Sequence, residues 1–450
     1  MGKFNVGEAA PRVLFFASLL MLAFGYGVLA EHYSLFPVPM AKQARDAASQ
    51  LLEESGAVLP WYYRESSETQ AVRVHNVSAV SPGLRLISGL AKDETTLVRV
   101  IDAEGRQVHS WSIDWFKLWP QPDHLSADLV PKSNAGLVHG LSVAPNGDLI
   151  FNFSELGLMR LDPCGSVVWR LPYRTHHSVQ LDDDGNIWVP GLITRDKSVA
   201  SLPNHIPPFD DYRILEVSSD GHIKRDVGVA DLLVANGFTG LLYLSSILNR
   251  NTKVSGDTMH LNDIEVFSKS LTPGFFQPGD VMVSLRNINT IVVFDPNTLK
   301  IKYHSIGQVL RQHDPDFVDG NTITVFNNNN LATWHPDTTR PNRSGQHSQI
   351  VQLSGSGETK VLFTGSERAP LFTDIMGSHQ RLPNGNLLIM ESIEGRVIEV
   401  DPSGNLVWEY INVVGNGRVG LVDDAVVLPA NLDDAFFKRT VAACASPDRE

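Results

Sequence analysis

Hydrophobic positions divide the chain into two kinds of segment. Near the N-terminus, residues 13–30 form an apolar run without a single charge. From about residue 84 onward, short apolar stretches alternate with turn-forming Gly, Pro, Asn and Asp. The first pattern predicts one long helix, because at about 1.5 Å per residue it spans most of a hydrocarbon layer of about 30 Å. The second predicts many short strands joined by tight turns.

The N-terminal run predicts export of everything that follows it. Lys3 and Arg12 precede the run, so the positive-inside rule puts the N-terminus in the cytoplasm. A cleaved signal peptide is the alternative, because Val28-Leu29-Ala30 resembles a cleavage site. The run exceeds the usual apolar region of a signal peptide, which favours an uncleaved single-pass anchor in the cell membrane. The folded body then lies on the periplasmic or extracytoplasmic side. A helical pattern at residues 40–55 predicts a short linker helix.

The body repeats itself. Residues 139–169 and 379–408 both contain a histidine, a Pro-Asn-Gly turn, an apolar strand, an Asp-Pro-x-Gly turn and a strand that ends in Val-Trp. These turn sequences suit hairpins, since Asn, Asp and Gly accept a positive φ. Weaker copies of the same unit cover four other segments, which are 84–111, 177–227, 260–303 and 313–363.

Six units of three or four strands predict an all-β fold, a six-bladed β-propeller. The unit at 84–111 lacks its first strand, which residues 419–430 would supply to close the ring and remove the open sheet edge. The predicted domain organisation has four parts, which are a transmembrane anchor or signal segment at 1–31, a linker at 32–80, the propeller at 81–435 and a C-terminal tail at 436–450.

Composition excludes some functions. Lys and Arg number 37 and Asp and Glu 50, which gives a formal net charge of −13, and no basic run exists. Nucleic-acid binding is therefore not expected, because phosphate recognition needs clustered Lys and Arg. Cys164 and Cys444 belong to no zinc-binding pattern. They can pair in an oxidising compartment, but two free thiols are the simpler expectation.

Five histidines share one position in the repeat. His139, His177, His260, His313 and His379 each begin a unit. The first strand of every propeller blade lines the central channel, so this phase predicts a ring of imidazoles around the axis. Three explanations remain: the imidazoles satisfy backbone groups at turns, they hold a metal ion, or they serve as nucleophile, acid and anion clamp.

The neighbours of His260 favour the last explanation. Asn262 lies on the same side of a strand as His260, and Arg286 follows on the next strand. The planar guanidinium of Arg286 suits a tetrahedral oxyanion and would repel a metal ion. Gln312-His313-Asp314-Pro315-Asp316 places carboxylates beside a histidine, where a carboxylate can fix the imidazole tautomer.

These motifs resemble the bacterial aryl-sulfate sulfotransferase family, in particular its shorter, membrane-anchored branch. The matching segments are HLN at 260–262, SLRN at 284–287 and QHDPDFVDGN at 312–321. The resemblance implies a six-bladed propeller in which a channel histidine takes a sulfuryl group from an aryl sulfate. The resulting sulfohistidine passes the group to a phenol, with no nucleotide sulfate donor, no metal and no other cofactor.

The resemblance also implies roles for individual residues. His313 matches the nucleophile, His260 and Asn262 the His-x-Asn pair, Arg286 the channel arginine, and His177, or the adjacent His176, an earlier channel histidine. We predict catalytic roles for His313, His260, Arg286 and His177. We predict substrate contacts for the remaining candidates, which are Asn262, His139, His379 and His176.

The chain departs from the family in two ways. Residues 31–80 are too few for the N-terminal β-sandwich of the larger members, and His379 stands near a position where the family has a hydroxyl residue. Two alternatives therefore stay open. One is a His-ligated metal enzyme built on a propeller. The other is a non-catalytic exported propeller that binds a ligand or partner. The sequence leaves the oligomeric state open.

Overall fold

The computed structural model describes residues 6–33, 35–42, 44, 59–202, 205–243, 254–330, 347–367 and 369–444. The chain divides into two compact units, Met1–Trp61 and Tyr62–Glu450. In the first unit, helix α1 spans Val6–His32. Its stretch Val13–Glu31 has a mean hydropathy of 2.2 and is long enough to cross a membrane, a property that an anchor and a signal sequence share. Most of the predicted helix at 40–55 lies outside the described residues.

The second unit is built from antiparallel sheets of short strands. Sheet 1 contains β3 (Arg85–Leu90), β4 (Thr96–Ile101), β5 (Gln107–Ile113) and the distant β29 (Val422–Val427). Sheet 2 contains β6 (Val138–Val143), β7 (Leu149–Phe153), β8 (Gly157–Leu161) and β9 (Val167–Leu171). Sheet 3 contains β10 (Gln180–Leu181), β11 (Ile187–Arg195), β12 (His205–Val217), β13 (Ile223–Gly228) and β14 (Val254–Gly256), the last parallel to β12.

The next three sheets continue in chain order. Sheet 4 contains β15 (Leu261–Val266), β16 (Val281–Leu285), β17 (Thr290–Asp295) and β18 (Lys300–Ile306). Sheet 5 contains β19 (His313–Asp319), β20 (Thr322–Asn327), β21 (Gln349–Ser354) and β22 (Thr359–Thr364). Sheet 6 contains β23 (Ser378–Arg381), β24 (Leu387–Glu391), β25 (Arg396–Val400), β26 (Leu406–Ile411) and β2 (Val72–Val74).

Smaller elements complete the unit. A three-stranded sheet joins β1 (Tyr63–Glu65), β27 (Val413–Gly415) and β28 (Arg418–Gly420). Three helices are α2 (Trp115–Leu118), α3 (Val229–Ala235) and α4 (Asp434–Cys444). Two 3₁₀ turns span Thr239–Tyr243 and Arg286–Ile288. The strands β1 and β2 thus lie in the segment that the sequence assigned to the linker.

The six larger sheets form a closed ring. Their innermost strands contact one another in the cycle β6, β10, β15, β19, β23, β29 and back to β6. Six hydrophobic clusters fill the spaces between successive sheets, and one of them joins sheet 6 to sheet 1 through side chains such as Ile87 and Trp408. A ring of antiparallel sheets around an axis is the architecture of a β-propeller. The predicted all-β propeller is confirmed.

Strands from the two ends of the second unit close this ring. In sheet 1, β29 pairs with β3 in antiparallel register, with Ala425 opposite Ile87. The prediction that residues 419–430 complete the sheet of residues 84–111 is therefore confirmed. Pairing distant parts of the chain leaves the inner strands without an open edge, which gives the channel a fixed wall.

The expectation of two free thiols is wrong. Cys164 and Cys444 form a disulfide, with their Cα atoms 5.5 Å apart and 280 residues between them. Cys164 lies in the Asp-Pro-x-Gly turn of sheet 2, and Cys444 ends α4. Phe437 of α4 is fully buried beside Trp111 and His109, so the helix packs onto the propeller. The helix brings together cysteines whose distance along the chain gave no sign of contact.

Candidate functional site

The innermost strands surround a cavity of about 250 Å³. Four of the five histidines that share the repeat position line it, which are His139, His177, His313 and His379. The fifth, His260, is adjacent, because its Nε2 lies 3.2 Å from Nε2 of His177. The repeat phase therefore did bring imidazoles together at the axis. The five imidazoles do not all share one environment, however.

Five imidazoles form what we call the imidazole cluster, consisting of His139, His176, His177, His260 and His313. His177 lies at its centre. The ring centroid of His177 is 4.0 Å from that of His139, 4.8 Å from that of His260 and 6.2 Å from that of His313. Nδ1 of His177 also lies 2.7 Å from Nδ1 of the adjacent His176.

A row of hydrogen bonds runs through this cluster from Asp257. Oδ2 of Asp257 contacts Nδ1 of His260 at 2.6 Å, and the Tyr212 hydroxyl donates to its Oδ1 at 2.5 Å. The row continues through the His260–His177 and His177–His176 contacts. If Nδ1 of His260 donates to Asp257, the tautomer of each following imidazole is set in turn. A proton added to His260 would reverse the direction of every imidazole–imidazole hydrogen bond in the row, so the row can carry a proton.

His313 is held differently. Its Nδ1 lies 2.7 Å from Oδ1 of Asn328, whose amide nitrogen donates to the backbone carbonyls of Thr373 and Met376. Because those two bonds fix the amide orientation, Oδ1 must accept and Nδ1 of His313 must donate. The lone pair is then on Nε2, which is buried and has no hydrogen-bond partner among the described residues.

Burial keeps four imidazoles of the cluster neutral. Desolvation first, and then the charges of His260 and Arg286, lower the pKa of His139 to about 3. The pKa values of His176, His177 and His313 are also well below the usual value, first because of burial. A neutral imidazole has a free lone pair on one nitrogen and is therefore a competent nucleophile or base.

Arg286 supplies the positive charge beside this cluster. Burial lowers the pKa of its guanidinium, and the positive charge of Arg286 in turn lowers the pKa of His313. Its nearest carboxylate oxygen is Oδ2 of Asp257, 3.9 Å away, which is beyond hydrogen-bond distance. Its Nε donates to the side chain of Asn287 at 3.2 Å. The guanidinium fork is therefore only partly engaged and can still bind an anion.

The backbone is strained where the histidines enter. His177 and His260 have φ values of +60° and +54°, a region that non-glycine residues seldom adopt. Gly140, with φ of +82°, follows His139, and a Cβ there would lie 1.8 Å from the His177 carbonyl oxygen. Such strain persists only where packing imposes it, and it is concentrated at functional sites.

A second group, the carboxylate cluster, lines the same cavity. It consists of Asp263, Glu265, Asp314, Asp316, Asp423 and Asp424. Burial, together with the charge of Asp314, raises the pKa of Asp424 to about 7. Burial first, and then neighbouring carboxylates, also raise the pKa values of Asp263, Glu265, Asp316 and Asp423 well above their usual range.

Two predicted substrate contacts have their own partners. His379 belongs with the carboxylates: its Nδ1 lies 3.0 Å from Oδ2 of Asp314 and its Nε2 3.7 Å from Oδ2 of Asp316. Asn262 is buried and donates to the Gln312 carbonyl at 2.8 Å, which ties sheet 4 to sheet 5. Both side chains still line the cavity.

Sequence reasoning missed residues that orient the histidines. Asp257 and Tyr212 anchor His260 from the insert before β15 and from β12. Asn328 fixes His313 from the end of β20. The run of four asparagines at 327–330 was a usable signal, because an Asn-rich segment after a buried strand is costly unless its amides have partners.

The channel thus holds oriented imidazoles with a guanidinium nearby, a combination of groups that suits an anion. The chain belongs to the arylsulfotransferase family: the sequence model of that family, described as "Arylsulfotransferase (ASST)", matches residues 140–413, more than half of the chain. The resemblance found in the sequence motifs is thereby confirmed. No curated protein sequence matches the chain.

Solved structures resemble the chain only distantly. A protein of unknown function from Bacteroides caccae has 13% identity, with 76% of this chain and 98% of that chain covered and a TM-score of 0.44. An inactive virginiamycin B lyase from Staphylococcus aureus has 12% identity, coverage of 77% and 88%, and a TM-score of 0.36. The WD40 propeller domain of Doa1 has 11% identity, coverage of 81% and 95%, and a TM-score of 0.39. Similarities this weak say nothing about activity.

Proposed function

We propose that this protein transfers a sulfuryl group from an aryl sulfate to a phenol through a covalent sulfohistidine at His313, on the extracytoplasmic side of the membrane. The observation that carries the proposal is the state of His313. Asn328 holds its Nδ1 as a donor, His313 lines the channel cavity, and its buried Nε2 has no hydrogen-bond partner among the residues that the structure describes. Membership in the arylsulfotransferase family supports the same chemistry.

In the first half of the reaction, Nε2 of His313 attacks the sulfur atom of the donor. A bond forms between Nε2 and sulfur while the bond between sulfur and the aryl oxygen breaks, and the electron pair leaves with the phenolate. The modified ring keeps its Nδ1 proton on Asn328. Two half-reactions let donor and acceptor occupy one small cavity in turn.

Arg286 stabilises the sulfate oxygens during this transfer. Sulfuryl transfer resembles phosphoryl transfer, in which the enzyme contributes mainly positioning and stabilisation of oxygen charge. A largely buried guanidinium is suited to this role when the carboxylate paired with it, that of Asp257, lies 3.9 Å away and makes no hydrogen bond to it. Buried charges interact more strongly than charges in water, so one arginine has a large effect here.

The row of imidazoles handles the phenol proton. His177 lines the cavity and is linked through His260 to Asp257. This row takes the proton of the acceptor phenol as its oxygen attacks the sulfohistidine, and passes that proton to the phenolate released in the first half-reaction. In that second step the bond between Nε2 and sulfur breaks and the lone pair of His313 is restored, so no proton is gained or lost over the cycle.

The His-ligated metal enzyme is less well supported. Within the described residues, the one group of His, Cys, Asp or Glu ligand atoms that lie within 4.8 Å of one another is Asp314, Asp316 and His379, which includes no member of the imidazole cluster. The imidazoles instead pair with one another along the row. A non-catalytic propeller remains the main competitor.

The test is to trap the intermediate. The full chain is incubated with a chromogenic aryl sulfate in the absence of phenol, digested and mapped by mass spectrometry. We expect one added sulfuryl group on His313, which disappears when phenol is added. His313→Asn should carry no label, and His222→Asn, a change at an exposed imidazole, should label normally. A label on another histidine refutes the assignment, and no label with several aryl sulfates favours the binding propeller.

A further inference from the structure

The carboxylate cluster has no use in sulfuryl transfer, yet it lies in the same cavity. Its six side chains come from β15, β19 and β29. Among the described residues that line the cavity there is no Lys or Arg. Each of these carboxylates that ionises would repel an anionic aryl sulfate in the same cavity.

Two side chains in this part of the cavity have buried atoms without partners. Both carboxylate oxygens of Asp423, which is 4% exposed, have no hydrogen-bond partner within the described part of the chain. The same holds for Nε2 of His379, whose side chain is fully buried. Buried polar atoms are nearly always bonded, and an orphaned one indicates a missing water or ion.

The geometry around His379 suits a cation. One ligand atom each from Asp314, Asp316 and His379 lies within 4.8 Å of the others. Ligands at about 2.1–2.6 Å from a common ion are separated by at most about 5 Å, so one ion can contact all three. Without metal, Oδ2 of Asp314 accepts from Nδ1 of His379 at 3.0 Å. An ion held by all three residues would replace that proton on Nδ1, which moves to Nε2.

We propose that Asp314, Asp316 and His379 bind one divalent metal ion, with the other carboxylates of the cavity around it. The ion must take both carboxylate oxygen and imidazole nitrogen, which suits Mn²⁺ better than Ca²⁺ or Mg²⁺. The sequence alone gave no metal site, since it could not bring His379 of sheet 6 beside two carboxylates of sheet 5.

The bound ion offsets part of the negative charge in the cavity. It also links β19 to β23 and thereby joins sheets 5 and 6 at the axis, next to His313 on β19. The bound ion therefore stabilises the inner wall and also weakens the electrostatic repulsion between the cavity and an anion. The metal proposal is independent of sulfuryl transfer, because binding can occur whether or not His313 is sulfated.

Metal binding is tested without any aryl sulfate. The purified full chain is stripped with EDTA and titrated with MnCl₂, while free Mn²⁺ is followed by electron paramagnetic resonance. We expect one ion per chain, and a loss of affinity of at least ~10-fold in Asp316→Asn and in His379→Gln. Asp196→Asn makes the same change at an exposed carboxylate and should bind as the wild type does.

Melting temperatures guard against misfolded variants. Mn²⁺ should raise the melting temperature of the wild type and of Asp196→Asn, but not that of Asp316→Asn. Without metal, Asp316→Asn should melt no lower than the wild type, because the amide has the size of the carboxyl group and cannot ionise beside the other carboxylates. Absence of saturable Mn²⁺ binding to the wild type overturns the proposal, as does unchanged affinity in Asp316→Asn. Neither result bears on the sulfohistidine, which is assayed separately.

Discussion

The imidazole cluster and the carboxylate cluster line one cavity but satisfy their buried atoms in opposite ways. His176, His177 and His260 bond in a row that ends at Asp257, and His313 bonds to Asn328. The carboxylates face one another, and Asp423 has no partner in the described chain. The first arrangement leaves a lone pair and a nearby guanidinium for an anion, and the second leaves oxygens for a cation.

His313 and His379 make the same contrast at the level of single residues. His313 is the first residue of β19 and His379 the second residue of β23, and both occupy the same position of the repeat. The Nδ1 partner of His313 is a neutral amide, and its Nε2 has no hydrogen-bond partner in the described part of the chain. Both nitrogens of His379 face carboxylates. The repeat fixes where an imidazole lies, and the neighbouring side chains decide what it can do.

The largest expected effect separates these two histidines. His313→Asn should fold normally and lose aryl-sulfate turnover by at least ~10⁴-fold, because asparagine cannot form the covalent intermediate. His379→Asn should lose at most about tenfold, since it removes no reacting atom. Initial rates of phenol release from a chromogenic aryl sulfate, in the presence of an acceptor phenol, measure both. Equal losses in the two variants would erase the distinction between the clusters.

Arg286 should give the next largest effect. Arg286→Met is expected to lower kcat/KM by ~10²–10³-fold, which is typical when one preorganised group that stabilises oxyanion charge is removed. Arg286→Lys should lose about tenfold, because a point charge replaces a planar fork. Steady-state kinetics with aryl sulfates of increasing charge would measure the dependence on the anion. Arg439→Met, an exposed change on α4, serves as the matched control. A threefold loss or less in Arg286→Met would contradict the role.

Much of the fold was predictable because the repeat is a periodic signal. Histidine, turn and strand recur in one order, and each unit has the length of one sheet, so the ring and its closing strand β29 followed from residues 84–111 and 419–430. The imidazole cluster followed from the same phase. Patterns of this kind can be recognised in a single sequence, because the conformation of a hairpin turn depends on residues close to it along the chain.

Long-range partners were not predictable. Cys164 and Cys444 meet because α4 folds back on sheet 2, and no local pattern encodes that approach. His379 joins Asp314 across two sheets, although its repeat position grouped it with His313. The partner of His313, Asn328, directly follows the next strand of the same sheet, but only the fold orients its amide. Side-chain pairing between elements depends on packing, which a pattern along the chain does not contain.

Asn328 should have a smaller effect, confined to positioning. Asn328→Leu removes the acceptor for Nδ1 of His313, so the tautomer with a free Nε2 is no longer enforced. We expect kcat to fall by ~10–100-fold with little change in KM, as for groups that orient a reacting side chain. Asn328→Asp restores an oxygen at the same place and should recover most of the lost rate of sulfohistidine formation. Equal defects in both variants would indicate a purely structural role.

The smallest effect concerns how the free energy of unfolding depends on pH, and this dependence has opposite signs for the two clusters. His139 has a pKa of about 3 in the folded protein and an ordinary value when unfolded, so its contribution is present above pH 6.5 and is lost as pH falls toward 3. Asp424, with a pKa raised to about 7, contributes below pH 3.8, and that contribution is lost as pH rises to 7. We compare the free energy of unfolding at pH 7 with that at pH 4.5. In His139→Gln the decrease on acidification should be smaller than in the wild type by about 1–3 kcal/mol. In Asp424→Asn the decrease should be larger than in the wild type by a similar amount. Chemical denaturation in EDTA at several pH values measures these slopes, with His222→Gln, an exposed change, as the control. If both variants follow the wild-type pH dependence, the two clusters do not differ in the way their burial implies.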